Sequence, residues 1–129
     1  MKQFEIIVKR KPSALAGIAE TLAQNGVNIR GISSERVGEQ IVVKVITDDE
    51  ATTRSTLVNK KASFSEREAL SVVIHDRPGE IAKLARRLAR RMVMVENIYM
   101  LTREGGMTEV AFTADEMAKA QAVLKTWKG

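Results

Sequence analysis

Asp76, Arg77, Pro78, Gly79 and Glu80 form an abrupt corner between the apolar run "SVVIH" and the amphipathic stretch "EIAKLARRLA". The first amides of a helix have no intrahelical partner, and the dipole makes that end positive. A carboxylate can therefore rest on the amides around Gly79, Glu80 and Ile81. Gly79 has no Cβ and lets a ligand approach the backbone closely. Asp76 is an acceptor with a negative charge, suited to an ammonium group. Asn28, in "QNGVNIRGIS", offers both a donor and an acceptor. Plainer roles compete at each position. Asp76 suits a helix cap, Gly79 eases a turn, and Asn28 beside Gly26 can bond local backbone.

Little else in the chain could carry a reaction. There is no Cys and a single His, and no carboxylate pair is placed for acid–base work. Ser33, Ser34, Ser63 and Ser65 have no histidine nearby in the pattern. The turns "VGEQ" and "EGGM" are too short to cradle a nucleotide. No catalytic residue, metal site or cofactor is expected, and His75 reads as a surface or packing residue. Met92, Met94 and Met100 read as adaptable interface or core packing. Tyr99 and Trp127 are single aromatics without a specific message.

The 129 residues allow one ordinary domain or two very small ones. Hydrophobic residues make up 44% of them and aromatics only 4%, so any core rests on aliphatic side chains. The N-terminus has no secretory pattern, and no apolar run approaches the ~20 residues that span a bilayer. A cytoplasmic protein with no membrane partner is the expectation. The net charge of +5 is partly gathered in Lys83, Arg86, Arg87, Arg90 and Arg91. With Ile81, Leu84, Ala85 and Leu88 forming the buried stripe, these cations read either as a solvated helix face or as an anion contact.

The elements that position the corner occur twice. Pro78 follows Pro12 by 66 residues (78 − 12), and a gapless shift of that length pairs Ala19 with Ala85, Leu22 with Leu88, Val27 with Val93 and Ile32 with Ile98. It also pairs Thr47 with Thr113, Asp49 with Asp115 and Glu50 with Glu116. Each copy reads as an apolar strand, a Pro-containing corner and a helix of about 12–16 residues with the stripe Leu15, Ile18, Ala19, Leu22 in the first. A hairpin follows, turning at Gly38-Glu39 and Gly105-Gly106, and then a second helix for which Asp49 and Asp115 offer caps or first-turn acids. "KASFSER" supplies a fourth strand to the first copy. The expected fold is α+β: two tandem βαββαβ, ferredoxin-like units at 1–68 and 69–129, with antiparallel sheets and helices on one face. The second unit lacks its last strand, which leaves "LSVVIH" at an open edge that a partner chain or another segment should cover.

With strand, D-x-P-G corner, helix and G-V-N-I strand repeated, the sequence resembles the ACT-domain family in its stand-alone tandem form. "IHDRPGEIAKLARRLA" and "LAQNGVNIRGIS" carry the likeness. The resemblance implies a regulatory module binding an amino acid or similar small metabolite where two units meet, and a homodimer with a possible regulated enzyme partner. One unit supplies the loop before its first helix and its neighbour the Asn that opens its second strand. Here the copies have lost different halves of that pattern. Asp76, Arg77, Pro78, Gly79 and Glu80 of the second copy would combine with Asn28 of the first in one full site. Arg10, Lys11 and Ser13 would meet Met94 in a second, weaker one.

Two other functions fit the same fold. A docking subunit without its own ligand would use the basic helix as its contact. A basic RNA- or anion-binding module would need aromatics on the central strands, where Phe4 and Phe112 are the only candidates, so nucleic acid is the less favoured partner.

Overall fold

The β-branched run after Met1 is extended, as its composition predicts. β1 (Lys2–Lys9) leads into α1 (Ala14–Gln24), the hairpin β2 (Ile29–Val37) and β3 (Gln40–Thr47), α2 (Glu50–Asn59) and β4 (Ser63–Glu68). The strands form one antiparallel sheet in the order β2-β3-β1-β4. Alternation along them turns Phe4, Ile6, Val43 and Val45 to one face, where Ile18, Leu22 and Leu57 of the two helices close the core.

The second copy repeats this with β5 (Leu70–His75), α3 (Glu80–Arg90), β6 (Val95–Glu104), β7 (Met107–Ala114) and α4 (Met117–Lys125). Its sheet order is β5-β7-β6, and its core gathers Ile74, Leu84, Leu88, Val110, Phe112, Ala120 and Val123. The computed structural model describes residues 1–128, in two compact units, Met1–Glu68 and a second from Ala69 onward. The fold is α+β, with two ferredoxin-like antiparallel units. Among the described residues the second has no fourth strand, and β5 pairs with β7 alone.

The repeat is not gapless. β7 begins 67 residues after β3 (107 − 40), because Leu101 is skipped between the pairs Met100↔Val110 and Thr102↔Glu109. One extra residue in an edge strand is absorbed as a bulge. Beyond it the true equivalents are Thr47 with Ala114, Asp48 with Asp115 and Thr53 with Ala120, and the identities at 66 are coincidental. Asp49 does cap α2, accepting from the Thr52 amide at 3.0 Å. Asp115 caps nothing: Glu116 precedes α4, without a side-chain cap, and Asp115 accepts instead from the Met94 amide at 2.8 Å.

Other expectations shift with burial. Leu15 is 42% exposed and Ala14 is buried in its stead, while in α3 Arg87 is half-buried along with Ile81 and Ala85 is exposed. Both first helices are 11 residues long, since each stops at a left-handed residue, Gly26 (φ +73°) or Met92 (φ +61°). The amides of Val27 and Val93 there bond the carbonyls of Leu22 and Leu88. Met92, Met94 and Met100 are all exposed, which rules out core packing. Tyr99 is buried, and Phe4 and Phe112 are fully buried, so neither phenyl ring is open to a stacked base.

Candidate ligand-binding corner

Each corner is fixed by the turn of its own hairpin. The Asp76 amide donates to the Gly106 carbonyl at 2.8 Å, and the Arg10 amide to the Glu39 carbonyl at 3.1 Å. The side chains then carry opposite charge patterns. Arg10 Nη1 lies 3.6 Å from Glu39 Oε1, whereas Asp76 Oδ2 lies 3.9 Å from Arg103 Nε. Asp76 and Arg103 are 43% and 59% exposed, and the gap exceeds hydrogen-bond length. Both groups keep capacity for a third partner.

Asp76 does not cap α3. The capping position is Gly79, at φ +89° with no side-chain cap, a conformation that L side chains rarely adopt. Glu80 follows on the first turn with its carboxylate buried. Arg77 Nε and Nη2 each lie 3.1 Å from Glu80 Oε1, and Lys83 Nζ lies 3.5 Å from Oε2. Arg77 is thus drawn over the helix start, and Pro78 sits between it and Gly79. The corner presents two cation–carboxylate pairs around a helix start that no side chain caps, with the Glu80 amide donating to the Arg77 carbonyl at 3.4 Å. His75 ends β5 opposite Met107.

Asn28 occupies an equally defined place. Its amide donates to Asp48 Oδ1 at 2.9 Å and its carbonyl accepts from the Asp48 amide at 3.1 Å. Met94 is held in the same way, its carbonyl accepting from the Asp115 amide at 3.1 Å. The local bonds expected of Asn28 are made by its backbone, and the exposed carboxamide makes none among the described residues. The sequence pattern does not mark Arg103 or Asp48, and it marks Asp115 only as a cap or first-turn acid. The clamping acids were hidden because the shift of 66 paired Asp115 with Asp49.

In the first unit, Lys11 and Ser13 line the mouth of an apolar groove of about 640 Å³ beside α1. Arg10 and Met94 do not line it. The basic helix α3 is partly committed to its own unit. Lys83 Nζ and the Arg87 guanidinium lie over the Trp127 ring, 5.7 and 5.4 Å from its centroid, and Arg87 Nη2 donates to Thr126 Oγ1 at 2.7 Å. Among the described residues no group of His, Asp and Glu could hold a metal ion, and no helix is long and apolar enough to cross a membrane.

No family model and no curated protein matches the sequence. Solved structures do. A protein of Bacteroides thetaiotaomicron superposes with a TM-score of 0.87 at 21% identity, over 96% of this chain and 85% of that one. The ligand-free regulatory subunit of aspartate kinase from Thermus thermophilus gives 0.67 at 19%, over 98% and 92%. The same subunit from Thermus flavus gives 0.63 at 16%, over 96% and 90%. Identities this low speak for the fold, and the fold they share with this chain is a tandem of two ACT-like units.

Proposed function

We propose that the protein is a non-catalytic regulator that binds an amino acid at the Asp76–Glu80 corner. The observation that carries this reading is the corner's charge arrangement. Asp76 stands exposed beside Arg103, and the left-handed Gly79 gives α3 no side-chain cap. An ammonium group can take Asp76 while a carboxylate takes Arg103 or the amides around Gly79 and Ile81, so a zwitterion satisfies both. Arg77 and Glu80 flank it, locked together by the Arg77–Glu80 ion pair and by the Glu80 amide, which donates to the Arg77 carbonyl at 3.4 Å. Asn28 from a neighbouring unit completes the site through its free carboxamide. Arg10, Lys11, Ser13 and Met94 make the weaker counterpart, because its carboxylate, Glu39 beside Arg10, is 91% exposed and Ser13 and Met94 replace Gly79 and Asn28.

The fold shared with regulatory subunits of aspartate kinase supports a regulatory role, with a regulated enzyme as partner and a homodimer covering the open side of β5. Signalling requires the ligand to favour one packing of the units over another. A thermal-shift screen of the twenty amino acids, run with Asp76→Ala alongside, tests the reading. One or a few amino acids should raise the melting temperature of the native protein and leave the variant unmoved. No shift at millimolar ligand would sink the ligand reading and favour a docking subunit.

A further inference from the structure

The two units differ at one place that the corner does not explain. Beside α1, the groove of about 640 Å³ has an apolar floor that includes Ile6, Val8, Ile18 and Leu57. Lys9, Lys11, Lys60 and Lys61 line it and form no ion pair among the described residues, with Glu20 the single acid. Gly17 faces open space, with nothing within 4 Å of where a Cβ would stand.

The second unit fills the equivalent position with its own side chain. Past the Leu101 bulge, Trp127 corresponds to Lys60 (127 − 60 = 67), and before it Lys83 and Arg87 correspond to Gly17 and Thr21 (83 − 17 = 66). Trp127 packs against the core of its unit beneath both cations. The chain itself thus shows what this part of the fold accommodates: a flat apolar body under positive charge. In the first unit Gly17, Thr21 and Lys60 stand at these three positions, and Lys9, Lys11, Lys60 and Lys61 line the groove.

We infer that the groove of the first unit is a second binding site, for an apolar carboxylate with an aromatic body. The body lies on the Ile6–Ile18–Leu57 floor, where Trp127 lies in the other unit, and the carboxylate meets Lys11, Lys60 or Lys61. Every part of the groove belongs to the first unit, so this inference stands whether or not the Asp76 corner binds an amino acid.

The probe is indole-3-propionate, titrated into the full chain and followed by the NMR amide shifts of Gly17, Thr21 and Ala62, with indole-3-propionamide as the neutral control. Saturable shifts confined to the first unit are expected, with the acid binding about tenfold tighter than the amide, since a charge-assisted contact is lost. Lys60→Trp copies the second unit's plug and should abolish binding. Lys11→Ala/Lys60→Ala/Lys61→Ala, which leaves the floor intact, should bring the acid down to the amide's affinity. Absence of saturable shifts in the native protein would overturn the inference, as would equal affinity for acid and amide. A folded Lys60→Trp protein that binds like the native one would overturn it as well.

Discussion

The Arg87 guanidinium lies 5.4 Å from the centroid of the Trp127 ring and at the same time donates to Thr126, so a helix that looks built for an anion anchors the end of its own unit. The half-buried indole packs against the core of the second unit. Trp127→Ala should therefore cost about 2 kcal/mol, below the 3–5 of a fully buried aromatic. Arg87→Ala should cost less, about 1 kcal/mol. Denaturant unfolding of the two variants and their double checks the coupling; strict additivity would show that the cation and the ring do not interact.

A buried hydroxyl pair in the first unit has been replaced in the second. Thr47 and Thr53 lie 2.8 Å apart through their hydroxyls, and Thr53 donates to the Asp49 carbonyl at 2.7 Å. Their equivalents are Ala114 and Ala120. Thr53→Ala strands the Thr47 hydroxyl and should cost about 2 kcal/mol, while Thr47→Ala leaves Thr53 its bond and should cost about 1. The double substitution should cost less than the sum. Chemical denaturation of the three variants settles the order, and a larger loss for Thr47→Ala contradicts it.

Met92 holds a left-handed conformation where the first unit has Gly26. A residue with a Cβ is strained there, so Met92→Gly should stabilise the protein by about 0.5–1 kcal/mol, even though it loosens the unfolded chain. Gly26→Ala should destabilise by a similar amount. Melting temperatures that move the other way would place the strain elsewhere.

Acid should loosen the first unit around β4. Hydrogen bonds from Arg54 hold Glu66 below the usual carboxylate range, and those from Lys2 do the same for Glu68. The Thr52 hydroxyl and amide lower Asp49. A carboxyl whose folded value is lowered adds stability above its unfolded value and loses it as pH falls through the folded one. The contribution is thus complete above about pH 5 and fades below about pH 4. Hydrogen-exchange protection of β4 and α2 should fall in that window, and Glu66→Gln should remove part of the dependence. Protection in β4 unchanged down to pH 3 would refute this.

Much of the architecture could be read from the chain because it is written twice. Core positions such as Leu22 and Leu88 recur with the helical period, and the turns at Gly38 and Gly105 sit between alternating strands. The single extra residue at Leu101 could not be read. Apolar character continues through it, and chance identities at Thr113, Asp115 and Glu116 masked the slip. Everything downstream inherited that error, including the true partner of Asp115 and the correspondence of Trp127 with Lys60. At the corner, residue types exposed Asp76 and Gly79, yet Arg103 opposite Asp76 depends on the hairpin's path across space. The apolar floor beside Lys11 was equally hidden, since Ile6, Ile18 and Leu57 come from three elements.

We propose one amino-acid site per chain, whose affinity depends on both Asp76 and Asn28. Calorimetric titration with the amino acid found by thermal shift measures it directly, on the native protein and on Asp76→Ala, Asn28→Ala, Arg10→Ala and Met94→Ala. The account predicts one site per chain, about tenfold or more weaker in each of the first two variants and unchanged in the last two. Full affinity in Asn28→Ala, or two equal sites per chain, would contradict it.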